Sequence, residues 1–185
     1  MTDELTGDSG PGVAALVASR VVDVPDFPKP GILFKDLTPL FADGPVFRQV
    51  IDVIIAHHGG RGGFDVVVGV EARGFVIAAA LAYASGVGVV PVRKAGKLPR
   101  VAHSATYDLE YGTATLEISE GAFTPGQRVL VVDDVLATGG TAEATLDLVA
   151  RAGGVVCGFT VLMELAFLAG RDRLPGCDVH ALMTV

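Results

Sequence analysis

Valine-rich runs at Asp65–Val70, Val87–Val92, Arg128–Val132 and Val155–Met163 alternate with helix-like segments at Gly74–Ala84 and Thr141–Ala152. No other feature constrains the fold as strongly. Near-continuous apolar runs of strand length suit strands buried on both faces, the condition of a parallel sheet. The order strand, helix, strand predicts βαβ units, so the expected fold is α/β, a mostly parallel twisted sheet flanked by helices. Sheets of this kind take ligands at the carboxyl ends of their strands. The loops just after Val70, Val92 and Val132 are therefore the first candidates for a site.

Half of the 185 residues are hydrophobic, which suits one domain, 1–185, with a substantial core. The formal charge of -7 removes any global basic field for nucleic acid or an anionic membrane, so an anionic ligand needs a local positive site. Two cysteines, Cys157 and Cys177, are too few for a disulfide framework or a zinc site, and reduced thiols in a cytoplasmic protein are expected. Met1 to Gly12 is acidic and glycine-bearing, with residues 1–11 expected to be disordered and no signal peptide legible. The uncharged stretch Gly74–Val92 is nearly long enough to span a bilayer. Ser85, Gly86, Gly88 and Pro91 divide it into an alanine-rich helix and a valine-rich strand, and that division is the reading adopted.

Two segments depart from the alternation. Residues 25–39, PDFPKPGILFKDLTP, carry four prolines that disfavour a helix and favour a rigid extended strip with a short strand at Ile32–Phe34. Residues 94–112, KAGKLPRVAHSATYDLEYG, begin basic and become strand-like, consistent with a flexible loop and hairpin arm. The paired His57 and His58 open HHGGRGG, expected to be a surface turn at a solvated helix end, since no further metal ligand is near in sequence.

The stretch VLVVDDVLATGGT, Val129–Thr141, sets two acids beside a small-residue turn. Glycines in Ala137-Thr138-Gly139-Gly140-Thr141 let amide N–H groups converge, the threonines add hydroxyl donors, and the following helix start adds partial positive charge. That combination suits a phosphate monoester. An ordinary strand-to-helix turn would account for the glycines alone. A carboxylate on the same phosphate would repel it, so Asp133 and Asp134 must face something else; carboxylates accept hydrogen bonds from vicinal hydroxyls and bind Mg²⁺. A ribose phosphate meets both requirements. A nucleotide P-loop would need a lysine after the glycines, and a dinucleotide fingerprint would need three spaced glycines directly after the strand. Neither spacing occurs.

The order in VVDDVLATGGT resembles the phosphoribosyl-pyrophosphate (PRPP) motif of type I phosphoribosyltransferases, which implies that fold, with a small N-terminal hood over the base at residues 25–40. The resemblance implies that Asp133 and Asp134 hold the ribose hydroxyls and that Ala137, Thr138, Gly139, Gly140 and Thr141 hold the 5′-phosphate. GVEARGF resembles the family's pyrophosphate loop, implying roles for Glu71, Ala72 and Arg73 and a strained peptide between Glu71 and Ala72, with its isomer, cis or trans, left open; Arg93, Lys94 and Lys97 of PVRKAGKLP join them. The strip PDFPKPGILFKDLTP resembles the hood of adenine phosphoribosyltransferases, and the other motifs follow in that family's order from about Pro25 to Arg171. Adenine is then met by the backbone at Leu33 and Lys35 and by the Phe34 ring. Glu110 of LEYG matches a residue placed near the imidazole side of the base, a proton-exchanging catalytic group alongside Arg73, and Tyr111 is assigned to loop closure. What the resemblance implies is transfer of the phosphoribosyl group of PRPP to adenine, giving AMP and pyrophosphate in purine salvage, with Mg²⁺ held mainly through PRPP. It also implies a homodimer, with Arg93 or its neighbours reaching across the interface. The alternatives are a transferase for another purine such as xanthine, and a non-catalytic PRPP-binding regulator; the short, acidic segment before Pro25 offers no DNA-binding domain.

Overall fold

A computed structural model describes residues 11–108 and 113–185. Seven strands form the central sheet in the order β5-β6-β4-β3-β7-β8-β9. Its parallel part comprises β3 (Val66–Val70), β4 (Gly88–Lys94), β7 (Arg128–Leu136), β8 (Val155–Glu164) and β9 (Val179–Thr184). The hairpin β5 (Val101–Asp108) and β6 (Thr113–Ser119) joins antiparallel to β4. The expected α/β fold is present. β9 and the helix α3 (Gly44–His57) are elements that the valine alternation did not announce.

The apolar runs are continuous because both faces are covered. Val67, Leu130, Val132 and Leu162 face one core with α1 (Pro11–Ala18), α3 and α4 (Gly74–Ser85). Val66, Val68, Val129, Val131 and Val161 face the other, with Leu148 and Val149 of α5 (Gly140–Arg151). Alternate residues of one strand thus enter different cores, the period-2 geometry of a strand buried on both sides. Cys157 packs against the first core and Cys177 against the second, and both are free thiols.

Three expectations are revised. The disordered start expected over residues 1–11 does not include residue 11, because α1 opens at Pro11 and buries Val13 and Val17; residues 1–10 lie outside the described residues. β7 does not stop at Val132. β8 continues beside it, pairing Asp133 with Val161 and Val135 with Met163, so the two acids are strand residues. The histidine pair is not a solvated helix end either: His58 is buried, with Nε2 2.6 Å from the Thr160 hydroxyl. Burial, and after it the neighbouring His57, lowers the His58 pKa to about 4.

The proline-rich strip forms a separate two-stranded sheet, β1 (Val22–Pro25) antiparallel to β2 (Leu33–Asp36). The Phe27–Pro28 peptide between them is cis. Next come the short helix α2 (Thr38–Ala42) and α3, whose N-cap Asp43 accepts from the Val46 amide and from Arg20 Nε. No described helix is long and apolar enough to cross a membrane.

Candidate active site

β7 runs into a tight turn and α5 begins at Gly140, so the amides of the expected phosphate turn meet at a helix N-terminus. Gly139 takes the N-cap position with φ +84°, a left-handed conformation natural to glycine. Ala137, Thr138, Gly139 and Thr141 border a small cavity of about 80 Å³ that Asp133 also reaches. The turn is held from behind. A Cβ on Gly139 would stand 2.4 Å from the Gly170 carbonyl oxygen, and a Cβ on Gly170 would stand 2.1 Å from the Ala137 carbonyl oxygen. Two bare backbones at this contact fix the height of the turn.

Beside it, the two acids differ. Asp134 is 5 % exposed and accepts from Arg73 Nε, so its charge is balanced within the site. Asp133 accepts from the Asp134 amide at 2.9 Å, and burial, then the Asp134 charge, raises its pKa well above the usual carboxylate range. α4 starts against this pair: a Cβ on Gly74 would lie 2.9 Å from the Val132 carbonyl oxygen and 3.0 Å from Asp133 Oδ1. The glycine of ARGF lets the loop after β3 approach the end of β7.

In that loop the peptide between Glu71 and Ala72, whose isomer the resemblance left open, is cis. Glu71 accepts from two neighbouring cations and one backbone amide: Lys97 Nζ at 2.8 Å, Arg93 Nε at 3.0 Å and the Lys94 amide at 2.9 Å. Chiefly the Lys97 ammonium, helped by the Lys94 amide and the Arg93 guanidinium, holds the Glu71 carboxyl at about 2 despite partial burial. A carboxylate thus holds two of the cations expected to meet pyrophosphate, Arg93 and Lys97, beside the loop. Arg93 makes this bond within its own chain, and its guanidinium lies 5.7 Å from the Phe75 ring centroid.

The hood closes the other side. Phe34 meets Phe27 edge-on at 5.1 Å, and the Arg73 guanidinium lies 5.4 Å from the Phe34 centroid, so one arginine touches both the hood and an acid of β7. Lys35 Nζ is tied to Asp23 at 2.7 Å.

These parts enclose one cavity of about 580 Å³ at the carboxyl ends of β3, β4 and β7. It brings together Leu33, Phe34 and Lys35; Glu71, Ala72, Arg73 and Lys94; Asp133 and Asp134; and Ala137 with Thr141. Arg93 and Lys97 reach it through Glu71, and Gly140 is buried at the start of α5. Glu110 and Tyr111 lie outside the described residues. Sequence reasoning missed Tyr107, whose hydroxyl accepts from Thr141 Oγ1 at 3.0 Å, and Leu116 and Leu165 in the wall. Tyr107 was within reach, as the other tyrosine of the same hairpin arm. Gly170 had no local signal.

A phosphate cradle, paired carboxylates and a cation-bearing loop at the ends of three parallel strands define a phosphoribosyltransferase. Residues 39–174 match the phosphoribosyl transferase domain, and the chain belongs to that family. It falls among the adenine phosphoribosyltransferases. The enzyme of that name from Salinispora arenicola is 73% identical over 184 residues, covering 100% of this chain and 97% of the relative. The crystal structure of adenine phosphoribosyltransferase from Thermoanaerobacter pseudethanolicus superposes with TM-score 0.88 at 47% identity, covering 93% of this chain and 99% of that one. The Saccharomyces cerevisiae enzyme, complexed with an imino-altritol bisphosphate and adenine, gives TM-score 0.88 at 40% identity over 93% and 99% of the two chains.

Proposed function

We propose that the protein transfers the phosphoribosyl group of PRPP to adenine, releasing AMP and pyrophosphate in purine salvage. The observation that carries this reading is the single cavity joining hood, acids and phosphate turn. In it the amides and hydroxyls from Ala137 to Thr141 receive the 5′-phosphate, and Asp133 and Asp134 receive the ribose hydroxyls. As the glycosidic bond to pyrophosphate breaks, negative charge grows on the leaving group, and Arg73, Lys94, Lys97 and Arg93 would meet it. Leu33 and Lys35 offer backbone groups to the edge of adenine while Phe34 covers its face; a 6-oxopurine would present the reversed polarity at that edge. Glu110 would exchange the proton of the attacking base, and Tyr111 would help close the arm; both roles rest on the resemblance.

Mg²⁺ fits this donor set. Hard oxygen ligands suit it, but Asp134 is already paired with Arg73 and Asp133 with the Asp134 amide, so the ion would be held mainly through PRPP oxygens. When bound it would supply charge neutralisation to the pyrophosphate. A homodimer is part of the proposal, supported by Val76 and Tyr83, 43% and 91% exposed one heptad apart on α4. The free thiols suit the cytoplasm.

Purified protein is tested with PRPP, Mg²⁺ and each of adenine, guanine, hypoxanthine and xanthine. Adenine should turn over far faster than the others. Conversion of a different base instead overturns the specificity, and PRPP binding with no conversion of any base favours a regulator.

A further inference from the structure

Three histidines with no part in the cavity meet elsewhere in the molecule. His57 ends α3, His58 caps it, and His180 is the second residue of β9, 122 positions further along the chain than His58. One ring nitrogen from each lies within 4.8 Å of those of the other two. The His57 and His180 rings stack with centroids 3.5 Å apart, and His58 stands across them with centroids 4.9 and 6.1 Å away. Thr160 Oγ1 and close packing over Gly158 fix the His58 ring; a Cβ at position 158 would fall 2.6 Å from His58 Cε1. His58 and His180 are 9% and 7% exposed, while His57 is half-buried.

We propose that His57, His58 and His180 form a binding site for a divalent transition-metal ion of the Zn²⁺ class. Imidazole nitrogens select such ions over Mg²⁺ and Ca²⁺, which prefer oxygen. Three histidines complete three corners of a tetrahedron and leave the fourth to water. Zinc–nitrogen bonds of about 2.1 Å set tetrahedral nitrogens roughly 3.4 Å apart, so the cluster contracts on binding. His57 supplies that movement. Stacked rings keep their nitrogen lone pairs in two parallel planes, and the half-buried ring at the helix end turns out of the stack while His58 stays fixed. The ion would clip the end of α3 to the edge strand β9. The cavity lies at the opposite, carboxyl ends of the strands, so this site is separate from PRPP and its Mg²⁺.

Tag-free, chelator-stripped full-length protein is titrated with Zn²⁺ by calorimetry without PRPP, and with Co²⁺ by visible absorption. One equivalent should bind, with the Co²⁺ bands of nitrogen ligation and a higher Tm. His57→Ala, a change at a half-buried helix end, should weaken Zn²⁺ binding at least about tenfold, and His180→Gln should do the same in a protein whose circular dichroism is unchanged. Absence of saturable binding at about 100 µM metal, or binding that both variants leave intact, overturns the proposal.

Discussion

Gly170 belongs to no motif, yet the structure sets its backbone against the turn proposed to hold the 5′-phosphate of PRPP. Gly170→Ala places a methyl group 2.1 Å from the Ala137 carbonyl oxygen and 3.0 Å from the Gly139 amide nitrogen. Real Cβ contacts essentially never fall below 3.0 Å, so one backbone must retreat by about 0.9 Å. Both obstructing atoms are main chain, and no rotamer change relieves them. Overpacking of this kind costs roughly 1–3 kcal/mol, which for a domain of this size lowers Tm by roughly 2–12 °C. Because the displaced segment is the phosphate turn, the kinetic effect should exceed the effect on stability: a misplacement near 1 Å at a positioning site can cost about a hundredfold. Steady-state assays with PRPP varied at saturating adenine should show a large rise in PRPP KM, while adenine KM moves little. Gly139→Ala should be worse, since it meets Gly170 at 2.4 Å and also carries φ +84°. An unchanged PRPP KM in Gly170→Ala would refute the idea that this backbone contact sets the turn.

Asp134→Asn should raise PRPP KM about ten- to a hundredfold, the worth of one charge-assisted hydrogen bond; unchanged affinity would sink the ribose assignment. Phe34→Ala should raise adenine KM by roughly fivefold or more, as expected for losing a base–aromatic stack, with PRPP KM nearly constant in the same assay. Glu110→Ala should lower kcat more than it raises adenine KM, and full activity would return Glu110 to a structural part. Stability should fall on acidification between pH 6.5 and about 4, measured by thermal melts in chelator. His58 and His180 titrate at 6.5 in the unfolded chain but near 4 in the fold, so their contribution is complete above 6.5 and is lost as pH drops towards 4. Burial is the main cause in both, with His57 adding to it and Asp178 opposing it; a flat melt profile across that window would contradict the burial of the two rings.

The contrast between Asp134 and Gly170 shows which kind of residue a sequence discloses. Three groups proposed to touch ligand were legible because each follows closely in sequence on the valine run that places it: Arg73 after β3, Lys94 at the end of β4, Asp134 near the end of β7. Local periodicity found the strand, and topology put the strand ends together. The length of β7 was not legible, because only the continued pairing of β8 keeps Asp133 and Asp134 in the ladder, and that partner begins some twenty residues later. Residues that act on other residues left weaker traces still. The resemblance sets Glu71 in the pyrophosphate loop, but that it acts on Arg93, Lys97 and the Lys94 amide is legible only once these are seen converging on it. The histidine pair reads as a helix end until β9 brings up His180, and Gly170 reads as any loop glycine until Ala137 is found against it. These partners are fixed by tertiary packing over long separations, where no periodicity connects them. Substitutions at such positions should therefore alter PRPP handling or stability while leaving every recognisable motif intact, and Gly170→Ala is the sharpest case because it adds one methyl group and removes nothing.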